Sequence, residues 1–180
     1  MRVLAISGSL RAASSNGALL DAAARLAPEG ASVERYAGLG ELPHFNPDLD
    51  GEAPPPAVAA WREALRACDA ILLSSPEYVH GVPGSLKNAL DWIVSSGEIS
   101  GKPLALINTS RSTFATPQLR EILTTMEARF IEGASITLHL WTNRVDADAI
   151  LGNARTAGAL RSAVAALVAS AREPAGAKAD

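Results

Sequence analysis

Three uninterrupted apolar runs of strand length, at residues 3–6, 70–73 and 104–107, constrain this chain more than any other feature of it. A strand with one wet face alternates apolar with polar residues. A run that is apolar at every position is covered on both faces. Between the runs, apolar residues recur at helical spacing. They are Leu19, Leu20, Ala23 and Leu26, then Val58, Trp61, Leu65 and Cys68, then Leu86, Leu90, Ile93 and Val94. Leu119, Ile122, Leu123 and Met126 follow, and finally Leu160, Val164, Leu167 and Val168. The spacing predicts helices over 16–26, 58–67, 84–94, 117–129 and 156–171. Segments 32–36 and 135–140 are more polar and read as edge strands.

The order βαβαβαβαβα implies a parallel sheet with right-handed crossovers and helices on both faces. The expected fold class is therefore α/β: three layers around a five-stranded sheet in the doubly wound, flavodoxin-like order 2-1-3-4-5. At 180 residues the chain suits one domain, expected over 1–171. A tail over 172–180, rich in Ala with Pro, Gly and Lys, is expected to fray. Segment 37–56, rich in Gly, Pro and Asp, is expected to be a long functional loop without regular structure.

A net charge of −3 gives no basic footprint for nucleic acid or an anionic membrane. No apolar run approaches a membrane span, and the N-terminal run is too short for a signal-peptide core. The single cysteine, Cys68, rules out a disulfide framework and a Cys-rich zinc site. It reads as an inert, buried residue, and a reducing, cytoplasmic setting is expected. His44, His80 and His139 show no metal-ligand spacing, and no Gly-x-Ser-x-Gly elbow is present. Asp48, Asp50 and Glu52 read as a solvated loop, and His139 as a surface or structural residue.

In an open parallel sheet, ligands bind beyond the carboxyl ends of the strands, where strand order reverses. Three loops sit there. The first holds Ser7, Gly8, Ser9, Leu10, Arg11, Ala12, Ala13, Ser14, Ser15 and Asn16 and leads into a helix N-terminus. Backbone N–H groups, hydroxyls and a guanidinium in one loop suit a phosphate monoester. The second runs from Ser74 through Pro76, Glu77, Tyr78, Val79, His80, Gly81 and Pro83 to Trp92. Its prolines and glycines make it stiff, and Tyr78 can meet an aromatic ring. The third, Asn108 to Pro117, is polar and follows a buried strand.

The run Gly8-Ser9-Leu10-Arg11 with Ser14-Ser15-Asn16 resembles the phosphate loop of NAD(P)H-dependent FMN reductases. Pro76-Glu77-Tyr78, Gly81-Val82-Pro83-Gly84 and Leu86-Lys87-Asn88-Ala89-Leu90-Asp91-Trp92 resemble that family's flavin loop. The resemblance spans about residues 1–170. It implies bound FMN, NAD(P)H as reductant, a quinone-like or other diffusible acceptor, and a homodimer or homotetramer. By that resemblance, Ser9, Arg11, Ser14, Ser15 and Asn16 hold the phosphate, and Pro76, Glu77, Tyr78 and Val79 border the isoalloxazine ring. Ser110, Arg111 and Ser112 face the ring's other side, and His80 and Phe114 are candidates for substrate contact. Family members carry Ser-x-Gly-x-x-Gly-Gly in the third loop, whereas residues 110–116 here contain no glycine. No catalytic triad is expected, because the flavin carries hydride chemistry. A flavodoxin-type electron carrier and a flavin-binding regulatory module are the alternative readings. Carriers are usually strongly acidic, which this chain is not.

Overall fold

The computed structural model describes residues 1–109, 112–140 and 144–172. Strands β1 (Arg2–Ser7), β2 (Ser32–Arg35), β3 (Ala70–Ser74), β4 (Pro103–Thr109), β5 (Arg129–Phe130) and β6 (Ile136–Leu138) form one sheet. The main path is β2-β1-β3-β4-β5, and β6 also pairs with β4. All pairings are parallel. Among the described residues six helices accompany the strands: α1 (Ser15–Arg25), α2 (Pro56–Arg66), α3 (Gly84–Asp91), α4 (Ala115–Thr125), α5 (Ala147–Gly152) and α6 (Ala154–Arg172).

The apolar runs divide between two cores, as the two-residue period of a strand requires. Leu4, Ile6, Ile71, Leu73, Leu104 and Leu106 face one side, packing with Trp61 of α2, Leu86 of α3, Trp92 just after it and Leu119 of α4. Val3, Ala5, Leu72, Ala105 and Ile107 face the other, against Leu19 and Leu20 of α1 and Leu160 and Val164 of α6. Leu72, Trp61 and Leu160 are wholly buried, and each fully buried large apolar side chain contributes about 1.5–3 kcal/mol. Cys68 is buried among them, and burial pushes its thiol pKa up.

Several expectations are corrected. The last edge is not one strand over 135–140. β5 pairs with the start of β4 and β6 with its end, separated by a 3₁₀ turn at Glu132–Ala134. Ser135 Oγ, accepting from the Leu106 N–H at 3.2 Å, bridges the break. The helix expected to reach 129 stops at Thr125, because Glu127 takes a positive φ of 60° and Arg129 already pairs as strand. α5 was not foreseen; Asp146 starts it by accepting the Ala149 N–H at 2.8 Å.

Segment 37–56 is not structureless either. It holds 3₁₀ turns at Gly38–Glu41 and Pro47–Leu49. Asn88 accepts the Phe45 N–H at 2.7 Å, and Asn88 and Trp92 both donate to the Pro43 carbonyl, at 2.9 and 2.8 Å. Asp50 is not solvated: it pairs with Arg62, both side chains over nine-tenths buried, and accepts from Ser95 at 2.7 Å. The Asn88 and Trp92 positions of the second motif thus secure this segment.

Candidate functional site

Ser7 and Ser74 are register partners at the carboxyl ends of β1 and β3, beside the point where strand order reverses. The loops after them therefore leave the sheet side by side. The Gly8 N–H donates to the Ser74 carbonyl at 2.8 Å. A Cβ on Gly8 would stand 2.7 Å from the Ser75 hydroxyl, so a side chain there would push the two loops apart.

The first loop is braced from within. The Ser9 N–H donates to Ser7 Oγ at 3.2 Å, and the Arg11 N–H to Ser9 Oγ at 3.3 Å. Ser14 caps α1: its carbonyl accepts the Ala18 N–H at 2.8 Å and its hydroxyl the Gly17 N–H. The Asn16 N–H, in the first turn, has no carbonyl within the helix to meet it. Asn16 Oδ1 accepts from Ser74 Oγ at 2.9 Å, which leaves the amide NH2 as a donor.

These residues form one wall of a cleft of about 190 Å³. Ser9, Arg11, Ser14, Ser15 and Asn16 lie at one end, and Pro76, Glu77 and Tyr78 at the other, with Thr109 beside them. Hydroxyls, an amide, a guanidinium and a helix N-terminus converge in this space. That donor set fits a phosphate monoester, and the Pro76–Tyr78 wall with the exposed phenol ring suits a flat aromatic group.

The second loop closes on itself through Tyr78 and Gly81, whose N–H and C=O groups exchange bonds of 3.1 and 2.9 Å. Val79 and His80 between them both have positive φ, 49° and 59°. Val79 stands at the tip, fully exposed and outside the cleft lining. His80 and Phe114 stack on each other, ring centroids 4.2 Å apart and planes 23° from parallel.

The third loop is tied to the second by side chains. The Glu77 carboxylate accepts the N–H groups of Phe114 and Ala115 at 2.6 and 2.9 Å. Ser112 Oγ donates to the Ser75 carbonyl at 3.1 Å, and Gln118 Nε2 to the His80 carbonyl at 2.9 Å. Ser112 is buried and, with Thr113, Thr116 and Thr137, lines a second hollow that adjoins the cleft at Thr109. Ser110 and Arg111 lie outside the described residues. Two roles escaped sequence reasoning. Thr109 lines the cleft, and Glu77 works through its side chain. A polar residue ending an apolar run hints at the first; nothing local signals the second. No group of three or more His, Cys, Asp or Glu side chains suited to a metal ion occurs among the described residues.

A doubly wound parallel sheet with a cleft at its switch point, lined by hydroxyls, an amide and a guanidinium on one loop and by an aromatic-bearing loop on the next strand, defines a flavodoxin-like protein. Residues 1–143 match the family described as NADPH-dependent FMN reductase, and the chain belongs to that family. It is an oxidoreductase whose chemistry runs on FMN and NAD(P)H. It is 38% identical over 153 residues to an NAD(P)H-dependent FMN reductase of Pseudomonas aeruginosa, an alignment covering 82% of each chain. A quinone reductase of Escherichia coli is 29% identical over 153 residues, 81% of each chain. The solved structure of a flavoenzyme NAD(P)H:(acceptor) oxidoreductase from Paracoccus denitrificans superposes with a TM-score of 0.75 at 28% identity, covering 94% of this chain and 96% of that one.

Proposed function

We propose that this chain passes a hydride from NAD(P)H, by way of FMN in the cleft between Ser9 and Tyr78, to a quinone-like acceptor. The observation that carries the reading is the cleft itself: a phosphate cradle at one end and a flat, stiff wall at the other, on adjacent strands. FMN, when bound, supplies the hydride-accepting and hydride-donating ring, so the protein needs no acid–base group of its own.

The chain's residues bind and orient. Arg11, Ser9, Ser14, Ser15 and Asn16 neutralise and hold the phosphate. Pro76, Glu77 and Tyr78 fix the wall, chiefly by backbone, with Val79 at its tip. Ser112 braces the far side. The exposed His80–Phe114 stack offers an aromatic surface beside the cleft for the reductant or the acceptor.

The same reading includes a homodimer or homotetramer. It is supported by an apolar groove of about 280 Å³ between α3 and α4, where Leu90, Ile122 and Met126 meet the exposed Val94. It also includes a cytoplasmic setting, supported by the free, buried Cys68. No helix among the described residues is long and apolar enough to cross a membrane.

The purified protein is expected to show flavin absorption and to consume NAD(P)H with a quinone in excess. Arg11→Ala is expected to weaken FMN binding by about 1.5–3 kcal/mol, the scale of a hydrogen bond to a charged group. Flavin fluorescence titration measures this, and an unchanged affinity would remove Arg11 from the cradle. FMN binding without NAD(P)H turnover would point to an electron carrier instead.

A further inference from the structure

The cleft does not end at the phosphate cradle. On the outer side of Arg11 and Ser14, a second pocket of about 470 Å³ opens between α1 and the segment leading into α5. Both residues line both spaces, so a ligand in the cradle and one in the outer pocket would be neighbours across a single guanidinium. Arg carries five N–H donors in a planar fork and can serve two acceptors at once.

The outer pocket is chemically divided. Ala12, Ala13 and Ala18 with Val145 give it a floor of small apolar groups on which a flat ring can lie without meeting a bulky side chain. Arg11 and Arg144 supply positive charge at its rim. Two carboxylates also line it, and both are engaged. Asp21 takes Arg35 Nη1 on both oxygens at 3.0 Å. Asp146 caps α5 through Ala149. A volume near 470 Å³ is that of a small-ligand site. A lining of small apolar groups that also holds two arginines is suited to a purine ring attached to a phosphate.

We infer that the outer pocket is a subsite for an adenosine phosphate, with the base on the alanine floor and the phosphate between Arg11 and Arg144. The inference rests on the reading of the adjoining cleft as the FMN site. Two sources carry this group. One is the AMP half of a flavin dinucleotide, whose pyrophosphate would bridge Arg11. The other is the adenosine 5′-phosphate half of NAD(P)H.

The test titrates 5′-AMP calorimetrically into the FMN-loaded protein while flavin absorbance reports retention. Saturable binding with flavin retained is expected. Arg144, exposed and outside the FMN cradle, is the residue to change. Arg144→Ala should weaken AMP binding about tenfold or more, the range for losing a charge-assisted contact. FMN affinity should stay within about twofold, since the cradle does not include Arg144. Arg144→Lys should fall between, keeping the charge and losing the fork. AMP that fails to bind FMN-loaded protein, binds only by expelling FMN, or binds Arg144→Ala as well as the parent overturns the inference. A protein that takes up no FMN overturns the underlying reading instead. The source is then named by two measurements on Arg144→Ala. A rise in KM for NADPH and NADH alike, since both carry the adenosine 5′-phosphate, assigns the pocket to the reductant. A fall in FAD affinity to the level of FMN assigns it to the flavin dinucleotide.

Discussion

Glu77 is the residue whose removal tests the architecture of the site most directly. Its carboxylate accepts two N–H groups at the start of α4, from Phe114 at 2.6 Å and Ala115 at 2.9 Å. No side chain of α4's own N-cap residue does this, so Glu77 caps the helix from another loop. Two contributions combine. A capping side chain stabilises by about 0.5–2 kcal/mol, and a negative charge at a helix N-terminus by about 0.3–1 kcal/mol. Glu77 is partly exposed, so solvent screening places the sum for Glu77→Ala near 2 kcal/mol. Glu77→Gln keeps an acceptor and loses the charge, and should cost about half as much. Urea unfolding followed by circular dichroism reads both. In a domain of this length 2 kcal/mol corresponds to a Tm lower by about 4–8 °C. The tie also sets the spacing of the second and third loops, so FMN affinity should fall with stability in Glu77→Ala. An alanine variant as stable as the parent, binding FMN equally well, would show that the loops are placed by their own backbones and would refute the argument.

Val79→Gly should stabilise the flavin-free protein by about 0.5–1 kcal/mol in urea unfolding. A non-glycine residue in the left-handed region costs about 1–2 kcal/mol, and glycine's greater unfolded-state freedom returns about 0.5–1 kcal/mol of that; a loss of stability would contradict the strain. Asp50→Asn should cost about 3 kcal/mol at neutral pH, because Arg62 is left buried without its counter-charge. The Ser95 hydroxyl first, and Arg62 with it, hold the Asp50 pKa below the ordinary aspartate value. The stabilisation is therefore complete above the ordinary aspartate range and is lost as pH falls through the depressed pKa. A plot of stability against pH should be flatter on its acid side in Asp50→Asn, and an unchanged acid limb would exclude Asp50 as a contributor. If the proposed oligomer forms through the α3–α4 groove, Val94→Asp should reduce the molecular mass measured by light scattering to that of a monomer, with no change in FMN binding; a parent protein that is already a monomer would refute the oligomer, and a variant of unchanged mass would exclude this groove as its interface.

The sheet was legible because its signal is local. Residues 70–73 are apolar at every position, and only a strand buried on both faces needs that. That Ser9, Arg11, Ser14, Ser15 and Asn16 would share one cleft was legible for a similar reason: all five lie between residues 9 and 16. What the sequence hid was made by tertiary pairing. Glu77 looks like any acid in a turn until α4 is brought to it from 37 residues away. Asp50 sits among acids in a Pro-rich segment, and only the fold delivers Arg62 and Ser95 to it. The split of the last strand is a third case. Segment 135–140 alternates as an edge strand should, but the 3₁₀ turn before it leaves only Ile136–Leu138 in register with β4. Alternation reports which face a residue prefers and says nothing of where a partner's ladder ends.

The glycine-free third loop connects these points. Glycines in such a loop would let the backbone approach a ligand closely but would leave its position to be fixed by something else. Here the fixing is visible: Ser112 holds Ser75, Glu77 holds Phe114 and Ala115, and Gln118 holds His80. The same bonds restrain the turn in which Val79 and His80 carry positive φ, a conformation that β-branched valine adopts only when its surroundings over-determine it. Strain in the second loop and stiffness in the third therefore have one cause. The two loops form a single clamped unit at the mouth of the cleft, and its spacing is set by the side chains of Ser112, Gln118 and Glu77 rather than by flexible backbone.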